Sequence, residues 1–141
     1  MAQQNIKTHS GNRIAIVLDG KQVGALQSVR ASDDYGPEPA SGIGDIHPFE
    51  HVPSMARHSL SVSSMVLRRG SLRSAGIMME NGDDVLRGLV FDIEAYDKLS
   101  GDLLYKYVGC SYASGDVEIN KHAIVMASGM FNALDRVGTA I

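Results

Sequence analysis

The string His47-Pro48-Phe49-Glu50-His51 spells H-x-x-E-H. On a helix, two histidines at that spacing share one face and can hold zinc while the glutamate serves as base. Here Pro48 sits inside the string, Gly42 and Gly44 precede it, and Pro53 follows. A helix does not survive that context, and no third ligand is apparent, so the string reads as loop. A small metal-dependent hydrolase using His47, Glu50 and His51 is the rival reading. Asp92 and Glu94 fall on one face of a strand pattern, where paired carboxylates can do acid–base work or bind a hard cation. Solvation of a wet strand face is the plainer account. Gly109-Cys110-Ser111-Tyr112-Ala113 has the residue types of a nucleophile elbow, but a strand pattern runs through it where a strand-to-helix turn is required. Cys110 therefore reads as a small buried apolar residue. His9, His58 and His122 are scattered, and Gly42-x-Gly44 lacks the third glycine and the helix of a phosphate loop. No catalytic residue, metal or cofactor is expected. Ser59, Ser61 and Ser63 are different: three hydroxyls on one strand face, with no bulky group among them, read either as an ordinary solvent face or as a smooth polar surface past which something must slide.

Composition narrows the classes further. The chain has 141 residues, 44% hydrophobic and 21% charged, which suits one folded domain and is too apolar for a disordered one. Aromatics are only 6% with no Trp, and the formal charge is −3. Neither a base-stacking surface nor a basic phosphate-binding face is expected. A single cysteine excludes an internal disulfide and a cysteine zinc cluster, and suits a reducing compartment. No apolar run approaches the roughly 18 residues of a membrane helix, and the polar start, Met1 to Ser10, does not read as a secretory signal.

The elements that position these residues are short strands punctuated by glycine. After the polar arm (1–11), Asn12 to Asp19 places Ile14, Ile16 and Leu18 on one face and Ala15 and Val17 on the other. Asp19-Gly20 predicts a hairpin turn, with a return strand from about Lys21 to Ser32 that sets Val23, Ala25 and Val29 against Ser28, Arg30 and Ser32. Residues 33–57 form a long loop without a sustained period, and such loops are usually functional or disordered. Tyr35, Ile43, Ile46, Phe49, Val52 and Met55 give it too much apolar surface to stay in water, so it is expected to dock. Arg57 to Leu67 alternates, with the serines opposite Leu60, Val62 and Val66. Ser71 to Met79 is expected to form a short helix, leaving at Asn81-Gly82. Leu89 to Asp97 reads as a strand with Leu89, Phe91, Ile93 and Ala95 inward, and Leu103 to Ala113 returns beside it. Ser114-Gly115-Asp116 predicts a turn before a last strand, Val117 to about Leu134, with Gly129 as a bulge. The expectation is a mainly β domain: a two-sheet sandwich or barrel of antiparallel strands, one short α-helix and a long inter-strand loop.

This layout resembles the phage tail tube protein family, which is similar to the haemolysin-coregulated tube protein of type VI secretion. The resemblance covers nearly the whole chain. It rests on the arm, the Asp19-Gly20 hairpin with its Ser-Val-Arg-Ala-Ser strand, the Gly/Pro loop, the seryl strand and the short helix. It rests also on the hairpin from Phe91-Asp92-Ile93-Glu94 to Tyr107-Val108-Gly109-Cys110, and on the closing run Lys121-His122-Ala123-Ile124-Val125 to Phe131-Asn132-Ala133-Leu134. The resemblance implies a structural protein, not an enzyme. Hexameric rings would stack into a hollow tube that delivers double-stranded DNA, the arm and loop reaching neighbouring subunits and the adjacent ring. It implies a virion tail location, with assembly in the host cytoplasm. The implied partners are other copies and other tail proteins: tape measure, baseplate, terminator and, in a contractile tail, sheath. A tube of a secretion or contractile injection device shares the layout, and a monomeric β-barrel module with an apolar pocket is a further alternative.

Simple physics agrees with an assembly. Edge strands invite pairing with another chain, and a closed ring removes them. A stacked ring offers the apolar loop a surface. A conduit should not hold its cargo, since each cationic contact to phosphate adds affinity. Ser59, Ser61, Ser63, Asp92 and Glu94 are the candidate lining, hydroxylic and net acidic. Arg30 and Lys106 weaken that lining if they point inward, and alternation alone leaves their direction open.

Overall fold

The computed structural model describes residues 6–22 and 25–141. Among the described residues nine strands follow one another: β1 (Ile14–Leu18), β2 (Leu26–Asp34), β3 (Glu38–Ala40), β4 (Glu50–Val52), β5 (Arg57–Met65), β6 (Phe91–Asp97), β7 (Leu103–Glu118), β8 (Met126–Ala133) and β9 (Asp135–Val137). One short helix, α1 (Gly82–Leu86), precedes β6. Seven strands form one antiparallel sheet in the order β1-β6-β7-β8-β5-β2, with β9 also pairing β7, while β3 and β4 form a separate two-stranded ribbon. The large sheet curls into a half-barrel, so the mainly β, antiparallel fold with one short helix is as the sequence predicts.

Strict alternation explains the core. On β6, Phe91, Ile93 and Ala95 are buried while Asp92, Glu94 and Tyr96 are half-exposed. On β5, Leu60 and Val62 are buried between half-exposed serines. Curling brings these two inner faces together: Leu18, Ile93 and Ala95 from one half share a cluster with Leu60, Val62 and Phe131 from the other. Phe131 meets Phe91 edge-on at 5.5 Å between ring centres, a geometry that favours aromatic pairs. Leu72, Ile77 and Met78, from the segment between β5 and α1, complete the cluster.

Several local expectations change. The Asp19-Gly20 turn is present, with both residues at positive φ (53° and 70°) and Leu18 bridging Lys21. The hairpin goes no further, because β1 pairs with β6 and β2 pairs with β5 at the other end of the sheet. The return strand begins at Leu26, and Val23 lies outside the described residues. Residues 71–79 are turns, not a helix: Gly76 takes φ +82° and Ser71 and Ser74 bond to one another. Such local bonding competes with helix formation. The helix starts where an exit was expected, with the Asn81 side chain accepting from the Asp84 N–H, the preferred N-cap arrangement.

The strand before the β6–β7 turn starts at Phe91, leaving Leu89 exposed. Ser114-Gly115-Asp116 is not a turn, for β7 continues through it to Glu118. Gly115 is there because a Cβ would strike the Tyr112 hydroxyl, Met78 Cε at 2.7 Å and the Ser128 carbonyl at 2.9 Å. The reversal comes instead around His122, with φ +63°, so the expected strand 117–134 is divided. Gly129 pairs in register with both Val62 and Gly115, and the bulge lies on β7 between Tyr112 and Ser114.

Candidate channel and assembly surfaces

Residues opposite one another on neighbouring strands project from the same side of the sheet. The outer side of β5 therefore extends the Ser59, Ser61 and Ser63 stripe into three rows across four strands. Ser32, Ser59, Asn132 and Ser111 form one row; Arg30, Ser61, Met130 and Ser114 the next; Ser28, Ser63, Ser128 and Asp116 the third. Eight of these twelve positions are serine, so the surface is hydroxylic, and one cation balances one anion. Ser32 Oγ and Ser59 Oγ are 2.7 Å apart, and Ser128 Oγ donates to Asp116. Sequence reasoning identified the stripes of β2 and β5 but missed Ser111, Ser114 and Ser128, because only register joins them to the others.

Asp92 and Glu94 do not enter these rows. They lie on β6, beyond β7 and β8 in the strand order, and Lys106 joins them on the same side of the sheet. Its Nζ is 3.4 Å from Asp92 Oδ2 and 3.5 Å from Glu94 Oε1. Glu94 first, then Asp92, raises the pKa of the Lys106 ammonium. Tyr96 donates to Glu94, which raises the phenol pKa. The acid pair is thus counter-charged, while Arg30 stands within the seryl rows.

The ribbon of β3 and β4 pairs only with itself among the described residues. All six apolar residues expected to dock are uncovered, with Val52 the least exposed at 46% and Ile43 and Ile46 essentially fully exposed. The H-x-x-E-H string gains no zinc geometry here. Glu50 and His51 are successive residues of β4 and so project to opposite faces. Among the described residues no group of three or more His, Cys, Asp or Glu is placed to hold a metal ion. The apolar pocket of a binding module has a partial counterpart, a cleft of about 1010 Å³ lined by residues of the outer strands β1 and β2 together with Tyr105, Tyr107 and Arg136.

Cys110 is fully buried, its Sγ donating to the Tyr107 carbonyl at 3.4 Å. Burial pushes its thiol up to about 11, so it is no nucleophile. What remains is a smooth hydroxylic sheet face and an uncovered apolar ribbon.

Residues 3–137 match the protein family described as the Phi812 tail tube protein. The chain belongs to that family. This tail tube protein is also 28% identical over 130 residues, 92% of each chain, to Virion protein 5 of Enterococcus phage phiEF24C. Its fold is similar to that of a chain in the tail of an empty GTA particle refined with C6 symmetry, at a TM-score of 0.66 and 12% identity, covering 94% of this chain and 100% of the other. A chain of an extracellular contractile injection system, in a sheath/tube terminator structure, is likewise similar at a TM-score of 0.66 and 10% identity, covering 94% and 96%. The tail tube protein is a structural component of a phage virion, not an enzyme.

Proposed function

We propose that six copies close into a ring, that rings stack into the tail tube, and that the seryl half of the sheet faces the channel through which double-stranded DNA passes. One observation carries this reading: the seryl rows end in two unpaired strand edges. β2 is the last strand in the order and, among the described residues, has only β5 beside it. On β7, pairing with β6 stops at Cys110, so Ser111–Glu118 has β8 on one side and, among the described residues, nothing on the other. Unpaired edges are templates for another chain. Pairing β2 of one copy with distal β7 of the next repeats around a ring and leaves no edge.

A lining of serines with balanced charge offers passing phosphates no cationic face. Ser59, Ser61 and Ser63 are the centre of that lining. Asp92 and Glu94, tied to Lys106, contribute less negative charge to it than their number suggests. Tyr35, Ile43, Ile46, Phe49, Val52 and Met55 are the contact surface toward the adjacent ring, and the arm reaches neighbouring copies. The remaining partners are the other tail proteins that enclose, fill or cap the tube.

Negative-stain electron microscopy of the purified chain tests the reading. Rings or tubes with six-fold end views are the expected result. A species that stays monomeric at high concentration, without rings, overturns it.

A further inference from the structure

The tube reading leaves open what receives the apolar ribbon. The antiparallel register fixes two opposite ends of the seryl sheet. Asp34 faces Arg57 at one end, where the ribbon leaves, and Met65 faces Met126 at the other. Arg57 and Met65 are the two ends of the nine-residue β5, roughly 27 Å apart at the usual rise. At the far end, segment 66–73 follows β5 and segment 119–125 leads into β8, and the Val66 N–H donates to the Val125 carbonyl at 2.9 Å.

Charge divides sharply between these ends. Residues 34–56 hold Asp34, Glu38, Asp45 and Glu50 and no Lys or Arg. Segments 66–73 and 119–125 hold Arg68, Arg69, Arg73 and Lys121 and no Asp or Glu. Arg57 and, through its contact with Asp33, Arg136 stand beside the acidic end, and Glu118 stands beside the basic one. Arg73 is engaged locally, donating to the Met79 carbonyl at 2.6 Å. Arg68, Arg69 and Lys121 are exposed, and among the described residues neither they nor the ribbon's Asp34, Glu38, Asp45 and Glu50 have an ion-pair partner. Leu67, Ile119 and Ile124 are exposed beside the basic groups, matching the apolar residues that accompany the acids. Each end is thus half of a contact, apolar with one sign of charge.

We propose that a second copy in the next ring is the occupant of this basic rim: the acidic ribbon of one copy docks onto Leu67, Arg68, Arg69, Ile119, Lys121 and Ile124 of another. The inference deepens the tube reading and rests on it. Like ends repel and unlike ends attract, so the contact sets a single polarity along the tube, and opposite charge across an interface fixes which partner and register are accepted. Exposed charges are screened by salt, so ring stacking weakens as ionic strength rises while ring closure, made by backbone pairing, does not.

Charge exchange tests this. Arg68→Glu/Arg69→Glu/Lys121→Glu makes both ends acidic, and Glu38→Lys/Asp45→Lys/Glu50→Lys, which leaves only Asp34 against three lysines, makes the ribbon basic. Each variant alone should form rings yet lose tube growth by at least about tenfold, since like charges meet at every junction. Mixed in equal amounts, the two should regrow tubes, because each ring then offers its neighbour the opposite sign. Tube length by electron microscopy and turbidity against salt provide the readouts, with melting curves confirming that the variants fold. Tubes growing at the wild-type rate from either variant alone, or no regrowth on mixing, overturn the proposal. Absence of rings from the wild-type chain would instead overturn the tube reading itself.

Discussion

His58 Nδ1 lies 2.6 Å from Asp33 Oδ1, joining β5 to β2 at the point where the ribbon leaves the body. Asp33 also accepts from the Tyr107 hydroxyl at 3.1 Å, and Arg136 Nε stands 3.9 Å from its other oxygen. One carboxylate thereby ties four strands, β2, β5, β7 and β9. Burial first, then the bond to Asp33, pushes the Tyr107 phenol up to about 12, so it stays a donor through neutral pH. Tyr35, the first apolar residue of the ribbon, sets its ring edge-on to His58 at 5.9 Å, so this junction also fixes the direction in which the ribbon departs.

Replacing Asp33 with Ala strands the Tyr107 hydroxyl and the His58 N–H in a low-polarity setting. Removing one partner of such a group costs about 1–3 kcal/mol. A urea midpoint lowered accordingly is the expected result, and an unchanged midpoint would show the junction to be idle.

Arg13 grips Asp97 with Nε 3.0 and 3.1 Å from the two carboxylate oxygens, and the Leu99 N–H donates to the same group at 2.9 Å. Arg13 first, then that backbone bond, holds the Asp97 pKa below its ordinary 3.8. A depressed carboxylate stabilises the fold above its unfolded pKa, and the contribution fades as pH falls below 3.8 through the lower folded value. Arg13→Ala should therefore flatten stability against pH below 3.8. Chemical denaturation at several pH values checks the slope.

Gly115 allows β7 to pass over the core without a turn, with the Ser128 carbonyl 2.9 Å from where a Cβ would stand. Backbone cannot swing aside as a side-chain tip can. Gly115→Ala should destabilise by about 1–3 kcal/mol through overpacking, read as a lower thermal midpoint. Full stability would mean that the strands separate there at no cost.

Cys110 is sealed beneath β7 with its thiol raised to about 11. A thiol-specific reagent should label the native protein far more slowly than the urea-unfolded chain, because the thiolate is the reacting form. Equal rates would place the residue at the surface.

Deleting 36–48 removes most of the ribbon, which among the described residues bonds only to itself and to the flanking 34–54 junction. Circular dichroism and the melting midpoint should remain near wild type, while tube growth stops. Tubes of normal length from the deletion variant would take the ribbon out of the stacking contact.

Period-two patterning determined, from residue order alone, which faces of β5 and β6 are apolar: Leu60 and Val62 opposite the serines, and Phe91, Ile93 and Ala95 opposite Asp92 and Glu94. It also marked the ribbon's apolar residues as needing cover, since local order already denies them a regular face to pack. Pairing was decided only by the tertiary structure. The Asp19-Gly20 turn suggests that β1 meets β2, yet Ile16 and Leu18 pack against Ala95 and Ile93, because burying that apolar face outweighs the nearer partner. Glycine was ambiguous for a related reason: at Gly115 the missing side chain serves a close approach, and residue type cannot distinguish that from a turn. Register likewise decided the company of charged residues, placing Lys106 with Asp92 and Glu94 and Arg30 among the serines. Alternation tells a residue which side of its own strand it occupies; only folded neighbours, far away in sequence, determine what shares that side.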